Sequence, residues 1–572
     1  MKNAVFILVN FLFLSNLSAQ LDFTNQAASL GLGYSCGTTL YGNGVSFFDY
    51  DNDGWDDIAI TTEDGQNVRF FKNFNGTFSE QTLSVPNTNY QTKQINWVDI
   101  DNDGDNDLFV TSDTNGNRLF ENVGNLVFQD ISLTAGINTS NTFTFGASWG
   151  DYNNDGFLDV FISNRDQAIP NILYKNNGDN TFTDVSAIAG ISSDGHMSFC
   201  SVFFDFNNDG LQDIYISNDK IQYPNLLYKN NGDGTFTDVS VASGSNIAID
   251  AMTVTVDDFN NDGFQDIYVT NSMISNVLLK NNGNETFTDV AISSGTEFNS
   301  IGWGASFLDA DNDADLDLYV SGEFDGSVGT FLSAAYYENN DDETFNLNNS
   351  IFSGDTSASF SNAVGDVDND GFPELVVTNN NGNDLFLWKS NTINSNNWLQ
   401  INLEGVESNK MGIGSKIEIS INGNKQYRYI HCGEGYLSQN SLTEIFGLGT
   451  EEDRVDYVKV TWLSGVVDIL YDVTSNQLLT IVEGSNPELS VEEFELNIVK
   501  IYPNPVSNIL TLNTQKEISN VSVYNMLGKE LIHTVPNTIS SDVDMSTLQS
   551  GTYFVQVTIG NVLETVKIIK NQ

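Results

Sequence analysis

Short apolar runs and alternating segments, separated by polar turns, extend over most of this chain. An apolar run such as "GVSFF" (44–48) precedes an acidic loop, and an alternating run such as "DIAIT" (57–61) follows it. Alternation with a period of two predicts a half-buried strand, and a short apolar run bounded by turns is typical of a fully buried one. We therefore expect each acidic loop to join two neighbouring strands.

Two further segments complete the unit. Runs such as "NILYKNN" (171–177) and "TFTDVS" (181–186) have strand character, and a turn rich in Gly and Asn separates them. Asn and Gly tolerate the positive φ that tight hairpins require, so this turn favours a hairpin. The pattern predicts four antiparallel strands in each unit and no helix.

The unit recurs seven times along the chain. Four-stranded sheets repeated at a period near fifty are typical of a β-propeller, so we predict an all-β fold with a seven-bladed propeller over residues 20–394. The last unit lacks a fourth strand, but "DFTNQAASLGL" (22–32) aligns with "TFTDVSAIAGI" (181–191). The segment around Phe23 is therefore expected to complete the last blade and close the ring. The seven acidic loops begin at Asp49, Asp99, Asp151, Asp205, Asp258, Asp309 and Asp366.

The loops follow the pattern D-x-D-x-D-G-x-x-D, which is suited to binding a cation. Side chains at positions 1, 3, 5 and 9 and the carbonyl at position 7 can converge on one ion, and crowded carboxylates repel one another unless a cation shares them. Donors that are all oxygen select a hard cation, and a flexible loop favours calcium over magnesium. An EF-hand would have Glu at position 12, where the first loop has Ile60. We expect up to seven calcium ions.

The expected ligands are, loop by loop, Asp49, Asp51, Asp53 and Asp57; Asp99, Asp101, Asp103 and Asp107; Asp151, Asn153, Asp155 and Asp159; Asp205, Asn207, Asp209 and Asp213; Asp258, Asn260, Asp262 and Asp266; Asp309, Asp311, Asp313 and Asp317; and Asp366, Asp368, Asp370 and Glu374. Ala314 stands where the sixth loop should have Gly, and a Cβ in that turn costs on the order of 1 kcal/mol. This loop is expected to be the weakest site. The alternative is that the loops are solvated acidic turns without metal, but seven copies in phase favour metal binding.

Composition excludes two classes of partner. The 572 residues include 76 Asp and Glu against 22 Lys and Arg, a formal net charge of −54. Such a balance repels nucleic acid and anionic membrane surfaces. Only three cysteines occur, so no disulfide framework is predicted. A bridge between Cys36 and Cys200 is left open.

The N-terminus predicts export. Residues 1–19 contain a Lys, an apolar core from Ala4 to Leu14 and a small-residue end at Ser18-Ala19, as in a secretory signal peptide. The alternative is a short membrane anchor, but the apolar run is too short to span a bilayer comfortably. We expect cleavage after Ala19 and no transmembrane segment in the mature chain.

Two smaller modules follow the repeats. Alternating runs such as "KIEISI" and "YVKVTW" predict a small β domain over residues 395–483. A linker rich in Glu, Ser and Pro covers residues 484–498. Four or more short strands over residues 499–572 then predict a compact β-sandwich.

These motifs resemble three known families. The repeats resemble the FG-GAP and related VCBS repeats of the integrin α-subunit propeller over about residues 21–390. "GIGSKIEI", "GEGYLSQ", "FGLG" and "VKVTWLSG" resemble the ASPIC/UnbV domain, and "IYPNPVSNILTL" with "VSVYNMLGKELI" resembles the C-terminal sorting domain of the type IX secretion system. The first resemblance implies structural calcium loops on one face and ligand binding by other loops. The last implies contact with the type IX secretion machinery, removal of the tail, and a secreted or outer-membrane surface location in a Gram-negative bacterium.

Catalysis has little support in the sequence. "GYSCG" (33–37) and "GASWG" (146–150) match G-x-S-x-G, but neither lies between a strand and a helix, and the chain has only three histidines. We therefore predict a binding or adhesion module for an extracellular glycan or protein; the alternative is a polysaccharide-degrading lyase or hydrolase on a propeller scaffold. Aromatic residues in blade connections could stack on sugars: Tyr34, Tyr41, Tyr90 and Tyr223.

Overall fold

The computed structural model describes residues 21–272, 275–450, 453–487, 499–559 and 562–571. The predicted signal peptide and most of the predicted linker lie outside the described residues. The described chain is all-β and forms two compact units, residues 1–487 and 488–572.

Seven antiparallel sheets occupy the repeat region, each with four strands from the repeats. We number them in chain order and give their strands from the first to the fourth.
Sheet 1 contains Val45–Phe48, Asp57–Ile60, Arg69–Asn73 and Phe78–Gln81, and sheet 2 contains Ile95–Val98, Asp107–Val110, Arg118–Asn122 and Phe128–Asp130. Sheet 3 contains Thr144–Gly150, Asp159–Asn164, Ile172–Asn176 and Phe182–Asp184, and sheet 4 contains Ser198–Phe204, Asp213–Asn218, Leu226–Asn230 and Phe236–Asp238. Sheet 5 contains Ala251–Asp257, Asp266–Asn271, Val277–Asn281 and Phe287–Asp289, and sheet 6 contains Gly302–Leu308, Asp317–Gly322, Ala334–Asn339 and Phe345–Leu347. Sheet 7 contains Ser359–Gly365, Glu374–Asn379, Phe386–Ser390 and Phe23–Asn25.

The fourth strand of sheet 7 comes from the start of the described chain. Phe23 pairs with Ser390 and Asn25 pairs with Trp388 in an antiparallel register. This confirms the prediction, made from the alignment, that the segment around Phe23 completes the last unit. Contacts at the first strands connect the sheets. For example, Gln94, directly before the first strand of sheet 2, accepts a hydrogen bond at Oε1 from Ala147 N in the first strand of sheet 3 (2.6 Å).

Burial falls from the first strand of each sheet to the fourth. In sheet 3 every residue of Thr144–Gly150 and Asp159–Asn164 is buried, whereas Phe182–Asp184 buries only Phe182. The first and second strands therefore form the inside of the repeat region, and the fourth strands form its outside. The alternating second strands, predicted to be half-buried, are fully buried. Repeated four-stranded sheets with this gradient fit a propeller.

The prediction of no helix was wrong in three places. One-turn helices follow the fourth strands of sheets 3, 4 and 5, at Ser186–Ala189, Ser240–Ser243 and Ala291–Ser294. Asp184 Oδ1 accepts hydrogen bonds from the backbone N (3.0 Å) and hydroxyl (2.6 Å) of Ser186, and Gly190 ends the turn with φ of 83°. A single helical turn is too short to show helical periodicity. Only the residues at its ends, such as Asp184 and Gly190, could have predicted the turn from the sequence.

The small β domain belongs to the same compact unit as the repeats. It has a three-stranded and a four-stranded sheet, and a further strand, Ser438–Gln439, pairs in parallel with Val45–Ser46 of sheet 1. The strands of the first sheet are Glu444–Thr450, Asn396–Glu404 and Leu478–Val482; those of the second are Asn424–Tyr429, Lys416–Ile421, Arg454–Thr461 and Val467–Thr474.

The C-terminal unit has its own apolar core, which includes Leu512, Val523 and Val555. Its six strands form one hydrogen-bonded sheet rather than the two separate sheets of a simple sandwich, because Ile509–Asn525 pairs with different partners along its two halves. The strands are Val499–Tyr502, Ile509–Asn525, Glu530–Thr534, Thr538–Asp544, Gly551–Ile559 and Val562–Lys570.

All three cysteines are buried and free. Cys36 and Cys200 lie in different apolar clusters, so the structure contains no bridge between them. Among the described residues, no helix has the length and apolar character needed to cross a membrane.

Candidate calcium loops and the axial segment

Each acidic loop connects the first and second strands of its sheet and is shaped by its first aspartate. In the first loop, Asp49 Oδ1 accepts a hydrogen bond from Asp53 N (3.0 Å) and Oδ2 accepts one from Gly54 N (2.7 Å). The same pair of bonds, from positions 5 and 6 to position 1, occurs in all seven loops. The loops therefore share one backbone conformation, set by position 1.

Position 6 has a left-handed backbone in every loop. Gly54 has φ of 87°, and Ala314, which replaces Gly in the sixth loop, has φ of 86°. Ala314 N still donates to Asp309 Oδ2 (3.0 Å). The sixth loop thus keeps the geometry of the others at the cost of a strained Cβ.

Carboxylates converge in four loops. One oxygen from each of three acids lies within 4.8 Å of the other two in the following groups: Asp49, Asp51 and Asp53; Asp99, Asp101 and Asp107; Asp309, Asp311 and Asp313; and Asp366, Asp368 and Glu374. In the other three loops Asn153, Asn207 and Asn260 occupy position 3, where the amide still supplies an oxygen donor.

The acids at position 9 are buried and connect the loop to the third strand. Asp57 Oδ1 accepts from Asn73 N (2.7 Å), and Asp266 Oδ1 accepts from Asn281 N (2.7 Å). Asp57 Oδ2 and Asp266 Oδ2 are buried without a hydrogen-bond partner. A buried, unpaired carboxylate oxygen is costly unless a cation or proton compensates it, so these two sites fit a bound cation.

The electrostatics of the loops also fit a cation. Burial, reinforced by neighbouring carboxylates, raises the pKa of Asp49 to about 6, that of Asp107 to about 8 and that of Asp57 to about 9. Near neutral pH Asp57 and Asp107 therefore retain protons unless a cation stabilises the charged form. The donor set, all carboxylate, amide and carbonyl oxygen, is one that calcium prefers.

Sequence reasoning missed the asparagine at position 4. Asn52 has a positive φ of 59°, and its Nδ2 donates to the carbonyl of Gly104, at position 6 of the next loop (3.1 Å). Every loop repeats this contact with its successor, and the seventh contacts the first, so the bonds form a closed ring. The remaining six join Asn102 to Gly156 (2.8 Å), Asn154 to Gly210 (3.3 Å), Asn208 to Gly263 (2.9 Å), Asn261 to Ala314 (3.3 Å), Asn312 to Gly371 (3.0 Å) and Asn369 to Gly54 (3.0 Å). The signal was visible in the sequence, because every loop has Asn at this position.

A second set of asparagines joins neighbouring sheets at the end of the third strand. Asn230 Nδ2 donates to the carbonyls of Gln212 (3.0 Å) in its own sheet and Tyr152 (2.7 Å) in the preceding one. Asn73, Asn176, Asn281 and Asn339 make equivalent contacts with the preceding sheet. The repeated Asn in "FKN", "YKN", "LKN" and "YEN" is the corresponding sequence signal.

Residues 430–441 of the small β domain lie among the first strands of the repeat sheets; we call them the axial segment. Its backbone makes hydrogen bonds with sheets 3, 5 and 7. Trp149 N donates to Cys432 O, Gly435 N donates to Val254 O, and Ser441 N donates to Val364 O (each 2.9 Å). It also pairs with sheet 1. The axial segment therefore occupies the space that the first strands surround.

Two side chains anchor the axial segment. Gln439 is fully buried; its Oε1 accepts from Ser46 Oγ (3.0 Å) and Trp97 N (2.8 Å), and its Nε2 donates to Trp97 O (2.9 Å). Tyr436 packs 5.0 Å from the ring of Trp303 and donates to the carbonyl of Tyr41 (2.8 Å). The "GEGYLSQ" motif contains both residues. In the sequence it indicated only the resemblance to the ASPIC/UnbV domain and not these contacts with the repeat sheets.

Family models match the chain in three consecutive parts. A model of an FG-GAP-like repeat matches residues 49–110, 99–162, 151–216, 205–269 and 258–320, and an FG-GAP repeat model matches residues 360–392. The chain is an FG-GAP repeat protein. This FG-GAP repeat protein continues with an ASPIC and UnbV domain (405–488) and a secretion system C-terminal sorting domain (500–571), of the type IX system. All three resemblances inferred from the sequence are confirmed.

Curated relatives have the name cartilage acidic protein 1. The FG-GAP repeat protein is 28% identical to the Xenopus tropicalis protein over 46% of this chain and 41% of the relative, and 26% identical to the Homo sapiens protein over 63% and 46%. The chain thus spans less than half the length of these relatives. Among solved structures, the extracellular domain of a one-component system from B. thetaiotaomicron is similar at 11% identity and a TM-score of 0.37, over 97% of this chain and 60% of that chain. That score is too low to support an argument.

The sorting domain indicates contact with the type IX secretion machinery and a secreted or outer-membrane surface location, as in Bacteroidetes. The FG-GAP repeat protein is therefore extracellular.

The serines of the two G-x-S-x-G motifs have no catalytic surroundings in the described chain. Ser148 lies on the first strand of sheet 3, and its Oγ accepts from Phe203 N (3.1 Å). Ser35 lies in a loop before sheet 1, and its Oγ accepts from Gly37 N (3.0 Å). A histidine does contact a serine in the sorting domain, but Ser522 and Glu530 both meet the same Nδ1 of His533, so the imidazole does not relay between them.

The four tyrosines singled out from the sequence have different surroundings. Tyr90 is buried, Tyr41 packs against Trp303, and the guanidinium of Arg69 lies 4.8 Å from the ring centre of Tyr34. Tyr223 borders a groove of about 470 Å³.

Proposed function

We propose that the seven sheets are the blades of one calcium-stabilised propeller over residues 20–394, followed by an ASPIC/UnbV domain (395–483), a linker (484–498) and a removable sorting domain (499–572). The closed ring of position-4 asparagines is the observation that supports seven blades, because each loop contacts its successor and the last contacts the first. Positions 1, 3, 5 and 9 of each loop would hold one calcium ion, up to seven in all, with the position-7 carbonyl as a further donor.

The role of calcium in this proposal is structural. Each ion would neutralise the carboxylates of one loop and fix the connection between the first two strands of its blade. The loops lie at one end of the sheets, so ligands would bind to other connections. Loops on a rigid scaffold commonly carry binding function.

The propeller would act as a binding or adhesion module for an extracellular glycan or protein, and not as an enzyme. The groove beside Tyr223 supports this role. Tyr223 lies in the connection between the second and third strands of sheet 4, and His196 lies in the connection from sheet 3 to sheet 4. Both connections are at the opposite end of the sheets from the acidic loops, because successive connections in an antiparallel sheet alternate between its ends.

The chemistry of the groove suits a neutral polar ligand such as a sugar. Tyr223 offers an aromatic face beside the imidazole of His196, at a ring distance of 6.3 Å. Asp194 and Gln222 border the same groove and provide hydrogen-bonding groups for hydroxyls. The axial segment fills the space among the first strands, which leaves such rim grooves as binding surfaces.

The test is binding of the calcium-loaded chain to a glycan array and to extracellular proteins in pull-down experiments, together with depolymerisation assays on the same polysaccharides. We expect saturable binding that Tyr223→Ala weakens at least tenfold and no release of new reducing ends or unsaturated products. Tyr471→Ala is the matched control, because Tyr471 is 71% exposed in the ASPIC/UnbV domain. Depolymerisation that is lost on changing an acid outside the loops would instead establish the enzyme alternative.

A further inference from the structure

Two positions vary together among the seven loops. Position 7 is aromatic or aliphatic in five loops, and in the same five sheets a lysine precedes the last residue of the third strand. In loops 2 and 6 position 7 is Asp105 or Asp315, and the lysine is replaced by Glu121 or Glu338. The five lysines are Lys72, Lys175, Lys229, Lys280 and Lys389.

Three of the five lysines contact the acidic loop of their own sheet. Lys175 Nζ is 3.1 Å from Asp155 Oδ2 in the third loop, and Lys389 Nζ is 2.8 Å from Asp368 Oδ2 in the seventh. Lys72 contacts both Asp51 and Asp53 in the first. In these three sheets the lysine ammonium group thus forms salt bridges with carboxylates that would coordinate calcium.

In sheets 4 and 5 the lysine makes a contact between sheets instead. Lys229 pairs with Glu285 and Lys280 pairs with Glu343, each glutamate belonging to the hairpin of the next sheet. Lys229 also interacts electrostatically with Asp209 and Asp213 of loop 4. Loops 4 and 5 have only three acidic ligands each.

Loops 2 and 6 have the opposite charge balance. Each has five aspartates and the third-strand glutamate, that is, six carboxylates with no lysine at the equivalent position. Asp315 is only 8% exposed, so its charge is poorly screened by water. Glu121 accepts from Asn180 Nδ2 (3.0 Å) and Glu338 from Asn348 Nδ2 (3.0 Å), which hold the two side chains in place.

We infer that the residue before the end of the third strand divides the calcium loops into two affinity classes: loops 2 and 6 bind calcium tightly, and the five lysine-bearing loops bind it more weakly. This inference depends on the calcium part of the proposed function. Replacing a nearby cation by an anion strengthens the attraction for a divalent ion, and even at high effective dielectric the effect is on the order of tenfold or more in affinity.

The strain at Ala314 does not reverse this order for loop 6. Hydrogen bonds from Asp309 to the backbone of the loop set its conformation, and Ala314 holds the left-handed φ within that conformation. The strain is therefore present in both the free and the bound loop, and it lowers the stability of the fold rather than the affinity for calcium. Loop 6, expected from the sequence to be the weakest site, is assigned to the tight class.

The experiment is a calcium titration of the chelator-treated full chain, in which native mass spectrometry counts bound ions at each free calcium concentration. We expect two ions to bind first and five more at concentrations at least tenfold higher. Glu121→Lys should leave one early ion, and Lys175→Glu should give three. Lys500→Glu, in the separate sorting unit, is the control for a change of net charge.

Different outcomes test the two affinity classes and calcium binding itself separately. Seven ions that bind as a single class, or early stoichiometry that Glu121→Lys and Lys175→Glu leave unchanged, would overturn the affinity classes while calcium binding itself stands. A chain that binds no calcium would overturn the proposed function. If Glu121→Lys does not fold, Glu121→Gln removes the charge with little change of shape and should also shift one ion to the weak class.

Discussion

Asn369 Nδ2 donates a 3.0 Å hydrogen bond to the carbonyl of Gly54, although 315 residues separate them in the chain. The bond joins the seventh acidic loop to the first. Six equivalent bonds join each loop to its successor, so this contact completes the ring. Together with the pairing of Phe23 and Ser390, it ties the end of the repeat region to its beginning.

Asn369→Gly should therefore destabilise the repeat region. Glycine retains the left-handed backbone, so the change removes the amide and its hydrogen bond but adds no strain. We expect a loss of about 1 kcal/mol in the free energy of unfolding, measured by denaturant titration. Asn125→Gly is the matched control, because Asn125 also has a positive φ (57°) but lies in an exposed hairpin. Equal losses in the two variants would show that the ring contact contributes nothing.

The sequence alone was sufficient to predict the features of the fold that depend on the spacing of nearby residues. The positions of the strands follow from apolar runs and alternation, and the seven loops follow from their acidic pattern. The fourth strand of sheet 7 followed from aligning Phe23 with Phe182, because an internal repeat supplies its own comparison. Those inferences needed no knowledge of distant contacts.

The contacts that the sequence did not reveal are those made between repeats. Asn52 occupied a spacer position in the metal pattern, and its partner, Gly104, is 52 residues away. Gln439 bonds Trp97, 342 residues earlier, so only the folded chain shows that the ASPIC/UnbV domain contributes to the centre of the repeat region. The one-turn helices were missed because one turn has no periodicity to detect.

Removal of calcium should destabilise the repeat unit and leave the sorting unit unchanged. A ligand that binds only the folded state stabilises it by about 4 kcal/mol per site at a thousandfold excess over Kd. All seven loops lie in residues 1–487, which form a separate compact unit from residues 488–572. Calorimetry with and without a chelator should show one transition shifting to lower temperature and the other fixed. An unchanged profile, with no calcium by elemental analysis, would contradict the metal assignment.

The secreted form should be shorter than the translated chain. If residues 1–19 are a signal peptide and the sorting domain is removed after export, the mature protein lacks both the first nineteen residues and roughly the last seventy. Intact mass of protein recovered from the cell surface or medium measures this directly. Retention of the tail on all secreted material would favour a binding role for the C-terminal unit.

Acid should destabilise the protein partly through His431. This imidazole is partly buried, with Nδ1 3.1 Å from the carbonyl of Phe203 and Nε2 2.6 Å from the side-chain amide of Gln265. Burial lowers the pKa of His431 from 6.5 to about 4. The folded state therefore favours the neutral ring: the contribution is complete above pH 6.5 and is lost as pH falls toward 4, by up to about 3 kcal/mol.

His431→Gln should remove that part of the pH dependence. Because acid also protonates the loop carboxylates, unfolding free energies of wild type and variant are compared at saturating calcium from pH 7 to 4.5. The difference between the two proteins should shrink as pH falls. His533→Gln, in the sorting unit, serves as the control. A difference that is constant with pH would show that His431 is not the group that titrates.

Gln439→Leu should destabilise the repeat region and the ASPIC/UnbV domain together. The change leaves Ser46 Oγ and the backbone N–H of Trp97 buried without partners, and it leaves the carbonyl of Trp97 only the weak thiol donor of Cys432 (4.0 Å). The loss costs about 3 kcal/mol. Gln477→Leu is the control, because that partly exposed side chain bonds only Thr474 in its own turn. The axial segment contacts sheets 1, 3, 5 and 7, so the repeat region and the ASPIC/UnbV domain should unfold in one transition at a lower denaturant concentration. Separate unfolding of the ASPIC/UnbV domain, with the transition of the repeat region unchanged, would show that the axial segment occupies the centre but does not hold the sheets together.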